Sequence, residues 1–507
     1  MPDSIATSLD ERFGEQPRTC RAGSGAFAHY ELDPGIYDEM FQQDGTPREA
    51  CHRLADTLAR ASPDDLATLQ EGVARRFLHE GITFTVLGRA EMSEHIIPID
   101  CVPRVLSAEE WDHVDRGLRQ RITALNLFLE DIYHEGRSLR DGVVPADLVL
   151  GCRQFRVQMR GLKVPHGAYV SVCGTDVVRT RDGFAVLEDN LRVPSGVSYM
   201  LACRAAMKQA YPRIYRAHGV REVAQYPRDL YSTLASLGSW RGAPRVAVLT
   251  PGRYNSAYYE HAFLAGEMGA VLVEGKDLVV HDSVLYVRTV AGLKRVDVVY
   301  RRIDDDFLDP VTFREDSVLG VPGLFEAYRA GNVVIANAPG TGVADDKAIY
   351  AFVPAIIRYF LDEEPILANV ETHLCREPDG LAYTIENIEE LVVKEVGGSG
   401  GYGMLVGSHA SASEREEFIA RLRADPANYI SQPVLALSRA GCFVDGRLEP
   451  RHVDLRPFVL RGRDEIRIAP GGLCRVALRR GGLVVNSSQG GGCKDLWILR
   501  GDREGAR

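Results

Sequence analysis

Lys394-Glu395-Val396-Gly397-Gly398-Ser399-Gly400-Gly401-Tyr402-Gly403 is the stretch on which the fold turns. Leu391-Val392-Val393 leads into it as a strand, and glycine then stands at 397, 398, 400, 401 and 403. Lacking Cβ, such glycines let the backbone come close to an anion and aim several N–H groups at it. A neighbouring lysine adds the counter-charge. A phosphate cradle is one reading and a glycine-rich hairpin turn the other. The spacing lacks the terminal Gly-Lys-Ser/Thr of a phosphate-binding loop, and no helix opens on it as in a dinucleotide fingerprint.

Working outward, strands are expected at 390–396 and 429–434, bracketing the loop. Upstream, a helix is expected over 345–360, with Ile349, Phe352, Val353, Ile356, Ile357 and Phe360 on one apolar face. Lys347 falls in its first turn, where the helix dipole disfavours a cation by a few tenths of a kcal/mol, or about that. Asp345 and Asp346 could offset this cost. The functional alternative is that Lys347 and Lys394 converge on the phosphates of a nucleotide.

A third group lies near residue 180. Glu188 and Asn190 are two residues apart, so on a strand they point to the same face. Asp176 precedes Glu188 by a distance that suits an antiparallel neighbour joined through Arg181-Asp182-Gly183. Two carboxylates and an amide oxygen are hard ligands suited to Mg²⁺ shared with substrate phosphates. Carboxylates on an exposed hairpin are the plainer reading.

The chain has 507 residues, too many for one hydrophobic core, so two to four domains are expected. Its 70 acidic against 60 basic residues give a formal charge of −10, which argues against a broad grip on nucleic acid or anionic membrane. The ten cysteines include no C-x-x-C pair and no zinc-finger spacing, as for reduced thiols in a cytoplasm. Residues 1–14 lack the apolar run of a secretory signal, and no apolar stretch approaches the roughly 18 residues that span a bilayer.

Elsewhere, helices are expected across 1–85, one of them capped by Ser62 or Asp64, and from Trp111 to Tyr133. Short strands are expected at 168–172, 184–187, 293–303, 474–478, 483–486 and 497–499. Val246-Ala247-Val248-Leu249, a turn, a helical period and 270–273 read as a β/α unit with a parallel sheet. Functional groups are expected at its strand C-termini, near Tyr254-Asn255-Ser256 and the charged run Arg301 to Asp306. His452 and Asp454 share a strand face, but no nucleophile elbow accompanies them, so hydrolysis is set aside.

Together these features resemble the circularly permuted ATP-grasp proteins of type 2, similar in element order to the synthetase half of glutathionylspermidine synthase. The matching text includes Glu188-Asp189-Asn190-Leu191-Arg192-Val193-Pro194-Ser195-Gly196, Leu249-Thr250-Pro251-Gly252-Arg253-Tyr254 and Tyr300-Arg301-Arg302-Ile303-Asp304. It continues in His452-Val453-Asp454-Leu455-Arg456-Pro457 and Asn486-Ser487-Ser488-Gln489-Gly490. The metal-ligand segment precedes the lysines, which is the permutation.

The resemblance implies a mixed α+β and α/β fold. Residues 1–85 would be an N-terminal helical region and 86–240 the metal-ligand half. A Rossmann-like pre-ATP-grasp unit would occupy 241–340, and the lysine and glycine-loop half 341–500. Asp176, Glu188 and Asn190 would hold Mg²⁺, and Lys347 and Lys394 would bind ATP phosphates. Gly397, Gly398, Ser399, Gly400, Gly401, Tyr402 and Gly403 would close over them, with Gln432 and Val434 in a hinge at the adenine edge. The synthetase relative carries an arginine two residues before its first metal-binding aspartate, where this chain has Gly174. Arg192, Arg456 and Arg475 are the candidates to replace that catalytic cation. The implied activity is a ligase joining small-molecule or peptide carboxylate and amine substrates through an acyl phosphate. A phosphotransferase and a non-catalytic nucleotide binder are the alternatives.

Overall fold

In the computed structural model, the described residues are 20–79, 81–85, 94–398, 403–482, 485 and 491–501. The chain begins with helices α1 (His52–Arg60) and α2 (Pro63–His79). The Ser62 hydroxyl accepts the N–H of Asp65, capping α2. Strand β1 (Ile99–Leu106) leads to α3 (Ala108–Tyr133), which opens on a capping box between Ser107 and Glu110. Val114, Leu118, Ile122, Leu125, Phe128 and Ile132 are buried along α3, as its period requires.

The hairpin β2 (Val172–Thr180) and β3 (Gly183–Asn190) follows, then α4 (Val197–Ala210). The strand expected at 168–172 instead begins at Val172 and runs on to Thr180, and the one expected at 184–187 extends to Asn190, because cross-strand pairing carries 174–176 and 188–190 into the ladder. The β/α unit supplies β4 (Val246–Leu249), α5 (Tyr258–Met268), β5 (Val271–Val273), β6 (Val298–Arg301) and β7 (Val334–Ala336). These four strands form a parallel sheet in the order β7-β6-β4-β5. The expected single strand over 293–303 is two. Gly292–Arg295 pairs in a separate antiparallel hairpin, and only Val298–Arg301 joins the parallel sheet.

The helix expected over 345–360 is also two pieces, α6 (Lys347–Tyr350) and α7 (Val353–Leu361). Pro354 cannot donate to the carbonyl a turn earlier, so the helix breaks and restarts with proline in its first turn. After β8 (Ala368–Asn369) come β9 (His373–Leu374), α8 (Pro378–Glu386), β10 (Leu391–Glu395), β11 (Leu405–Val406), α9 (Ala412–Ala424) and β12 (Tyr429–Pro433). They build an antiparallel sheet in the order β9-β12-β10-β11, with the glycine loop between β10 and β11.

Strands β13 (Arg456–Arg461), β14 (Ile466–Val476) and β15 (Gly492–Ile498) then return to the first sheet. It has seven strands in the order β8-β3-β2-β13-β14-β15-β1, and the described strands of 341–500 are divided among three sheets, since Arg439–Val444 and Arg447–His452 pair in a two-stranded one. Side chains alternate across it. Cys493 and Trp497 pack with α2 and α4 on one face, Leu496 and Ile498 with α3 and α7 on the other. The strand expected at 483–486 lies outside the described residues except for Val485. Among the described residues, no helix is long and apolar enough to cross a membrane.

Candidate active site

Asn337, just past β7, fixes the parallel sheet to the β2–β3 hairpin. Its Oδ1 accepts the N–H groups of Ser171 and Val172, each at 2.8 Å, and its Nδ2 donates to the carbonyls of Val172 and Leu191. All of Asn337's polar capacity is used in that seam.

On the hairpin, Asp176 lies directly opposite Glu188, and Gly174 opposite Asn190. Cross-strand partners point to the same side, so both carboxylates and the amide share one face. Asp189 and Thr175 point to the other. There Asp189 is buried against Arg121 of α3 at 2.7 Å, with the Thr175 hydroxyl donating to it. Asn190 donates its Nδ2 to the Gly174 carbonyl at 2.9 Å, which leaves its Oδ1 turned away from that bond.

The two lysines come to this face from separate elements. Lys347 opens α6, and Asp346 caps that helix by accepting the N–H groups of Ala348 and Ile349. Asp345 accepts the N–H groups of Leu191 and Arg192, so both acidic neighbours serve the backbone here. The Lys347 ammonium lies 3.7 Å from Glu188 and donates to the Gly398 carbonyl, at the start of the glycine loop. Lys394, on β10, donates to Gln432 Oε1 on β12 at 2.7 Å, and Gln432 in turn donates to Thr372. Ser399, Gly400, Gly401 and Tyr402 lie outside the described residues, as do Asn486 to Gly490. Gly397 is exposed beside the loop, and Gly403 holds φ +69°, a conformation that favours glycine. The Val434 N–H donates to the Glu390 carbonyl at 2.9 Å and is not free for a base edge.

Burial pushes the Lys394 ammonium down to about 8, with Lys347 adding to the effect and Glu188 opposing it. Glu188 is pushed up by burial and by the facing Asp176 carboxylate, against the pull of both lysines. Burial works the same way on Asp176, but Arg456 and Arg475 outweigh it and hold that carboxyl well below the usual range.

The three candidate arginines occupy different places. Arg192 pairs with Asp345 at 3.3 Å and Asp304 at 3.6 Å, at the C-terminal edge of the parallel sheet. Arg475 is buried between Asp454 and Asp176, 2.7 Å from the latter. Arg456 grips Asp176 with both Nε and Nη2, the second at 2.8 Å. Its alkyl chain crosses Gly174: a Cβ there would stand 3.2 Å from Arg456 Cδ and 3.3 Å from Pro194 Cβ. A side chain at 174 and the Arg456 chain therefore compete for one space.

Asp454, which the sequence offers only beside His452 in a triad that is set aside, belongs to the site in another role. It anchors Arg475, whose position 21 residues later gives no local signal of the pairing. His452 has no part in a triad, since its Nδ1 meets the Leu437 carbonyl at 2.8 Å. Arg301 and Arg302 are spent internally, on Asp305 at 2.7 Å and Glu260 at 3.2 Å.

Residues 103–477 match the family described as circularly permuted ATP-grasp type 2. An uncharacterized protein of Synechocystis is 51% identical over 93% of this chain and 99% of its own length. One from Mycobacterium tuberculosis is 45% identical over 98% of this chain and 90% of its length. A Frankia alni protein that bears a provisional name as a glutamate–cysteine ligase is 40% identical, and this chain spans 56% of it. Among solved structures, a glutathione synthetase-like effector from Globodera pallida aligns with TM-score 0.54 at 12% identity. It covers 87% of this chain and 98% of that one, which is a likeness of fold. The match over most of the length, on a structure that brings both lysines to the carboxylate hairpin, places the chain in the circularly permuted ATP-grasp type 2 family.

Proposed function

We propose that the protein is an ATP-dependent carboxylate–amine ligase that works through an acyl phosphate in the cytoplasm. One observation carries this reading. Lys347, Lys394 and the Asp176–Glu188 pair come from three distant segments, yet Lys347 lies within 3.7 Å of Glu188 and bonds the glycine loop. The loop backbone and two ammonium groups suit a polyphosphate, with the carboxylates beside it.

The donor set fits Mg²⁺: two carboxylates facing each other and an Asn190 oxygen left open by its amide's bond to Gly174, all oxygen ligands. When bound, the metal neutralises phosphate charge. The chain's own residues then have positional and electrostatic work. Lys347 and Lys394 orient the phosphates, the 397–403 loop excludes water, and Arg456 is the cation placed to meet charge growing on the transferred phosphoryl group. Water exclusion matters because a hydrolysed acyl phosphate wastes the ATP. The ligase name attaches to a whole Frankia protein of which this chain spans 56%, so the site geometry is the stronger support.

The test is ADP release with Mg·ATP against pooled amino acids, peptides and polyamines, with hydroxylamine as trap. ADP accompanied by hydroxamate is expected. ADP with a phosphorylated product and no hydroxamate would favour a phosphotransferase. Lys394→Ala and Glu188→Ala should each abolish ADP formation in a folded protein; wild-type turnover in either would refute the site.

A further inference from the structure

We propose that Arg456 is a resident counter-ion: it occupies Asp176 while the site lacks metal and leaves it when a divalent cation arrives with nucleotide. The inference rests on the nucleotide-site reading above and deepens it by assigning an exchange to one side chain.

Asp176 is almost wholly buried, and both of its oxygens are taken. Oδ1 accepts Arg456 Nε, while Oδ2 accepts Nη2 of Arg456 at 2.8 Å and Nη2 of Arg475 at 2.7 Å. A buried carboxylate in this state is satisfied, and a metal must displace something to reach it.

The two arginines are not equally replaceable. Arg475 is clamped on its far side by Asp454, whose oxygens accept its Nε at 2.9 and 3.0 Å, and its side chain is 7% exposed. Removing it from the cluster would strand Asp454. Arg456 has Asp176 as its one carboxylate partner among the described residues; its Nη1 reaches only the Ser195 carbonyl at 3.2 Å. Its side chain is 14% exposed, twice that of Arg475, and the bare backbone of Gly174 gives its alkyl chain a lane. Arg456 is thus the cation that can move without leaving a second buried charge unpaired.

Charge and geometry agree on the exchange. A divalent ion between Asp176 and Glu188 would replace the guanidinium on Asp176 and also serve Glu188, whose nearest cation is Lys347 at 3.7 Å. The released guanidinium keeps its planar donor fork, which suits phosphate oxygens as well as a carboxylate. Metal alone must displace Arg456 with no anion to receive it, so it binds weakly. Metal with nucleotide supplies both halves, which makes their binding mutually supportive.

The test uses Mn²⁺ alone, titrated into the full-length protein and followed by the electron-paramagnetic-resonance signal of free Mn²⁺. Arg456→Gln should bind Mn²⁺ at least about tenfold tighter than wild type, the lower end of what a charge-assisted bidentate pair is worth. Arg456→Lys, which keeps the charge but loses the fork, should gain severalfold and covers the case where the glutamine variant does not fold. Adding Gly174→Arg to Arg456→Ala should restore weak binding, because loss of Cγ and Cδ opens the space beside residue 174 for the new side chain. Unchanged or weaker Mn²⁺ binding in a folded Arg456→Gln or Arg456→Lys protein would overturn the proposal. Calorimetry of wild type with Mg²⁺ and a non-hydrolysable ATP analogue separates the two readings: no binding there sinks the nucleotide site, whereas binding without the Arg456 effect sinks only the exchange.

Discussion

Lys394 gives the nucleotide-site reading a quantitative pH signature. Burial holds its ammonium at about 8, and bound phosphate should return it toward or above its ordinary 10.5. With a pKa of about 8, roughly nine-tenths of molecules carry the ammonium at pH 7 and about one in thirty at pH 9.5. Binding that needs the charged form must therefore take up a proton at high pH. The apparent Kd of Mg²⁺ with a non-hydrolysable ATP analogue should rise about 25-fold between pH 7 and pH 9.5, or about 2 kcal/mol. Calorimetry at half-unit steps across that range measures it. Lys394→Arg is the control: it stays charged throughout, so its curve carries only the nucleotide's own titration. On folding stability the shift acts in the opposite sense. The folded pKa lies below the unfolded one, so the unfolded chain binds more protons between 8 and 10.5, and stability rises with pH across that window. Lys394→Met should accordingly raise Tm at pH 7, with the gain shrinking toward pH 10. A wild-type Kd that tracks Lys394→Arg across the whole range would refute the placement of Lys394 on the phosphates.

Three further outcomes test the frame around the site. Asp454→Ala leaves Arg475 with Asp176 as its remaining carboxylate among the described residues and should cost about 3–5 kcal/mol in chemical denaturation, the range for breaking a buried pair. Arg121→Met strands the buried Asp189 beneath the hairpin and should cost a similar amount, about 3–5 kcal/mol, while Arg121→Met with Asp189→Asn should recover much of it. Gly117→Ala on α3 should lower Tm. Helix propensity favours alanine by about 1 kcal/mol, but its Cβ would stand 2.4 Å from Leu367 Cγ, and overpacking of about 1–3 kcal/mol outweighs the gain.

Why some of this architecture was legible in the sequence, and some was not, follows from the range of each interaction. The Asp176, Glu188 and Asn190 alignment was readable because a hairpin converts sequence spacing into register, and the observed pairing sets Asp176 against Glu188. Helix α3 was readable from its 3.6-residue period, which one buried face enforces over 26 residues. The break between α6 and α7 was legible in principle at Pro354, but the apolar face continues through it and masks the lost backbone bond. The partners of Asp176 belong to a different class. Arg456 and Arg475 are 280 and 299 residues away, brought to β2 because β13 pairs with it and β14 pairs with β13. No periodicity encodes which of three arginines crosses Gly174. The clue was present only as an absence, a glycine on the face where a family relative has an arginine. Read physically, a missing side chain in a buried sheet creates a space that close packing does not leave empty. Phe458 pairs with Gly174, and Arg456, two residues before it, is the side chain whose alkyl chain fills that space.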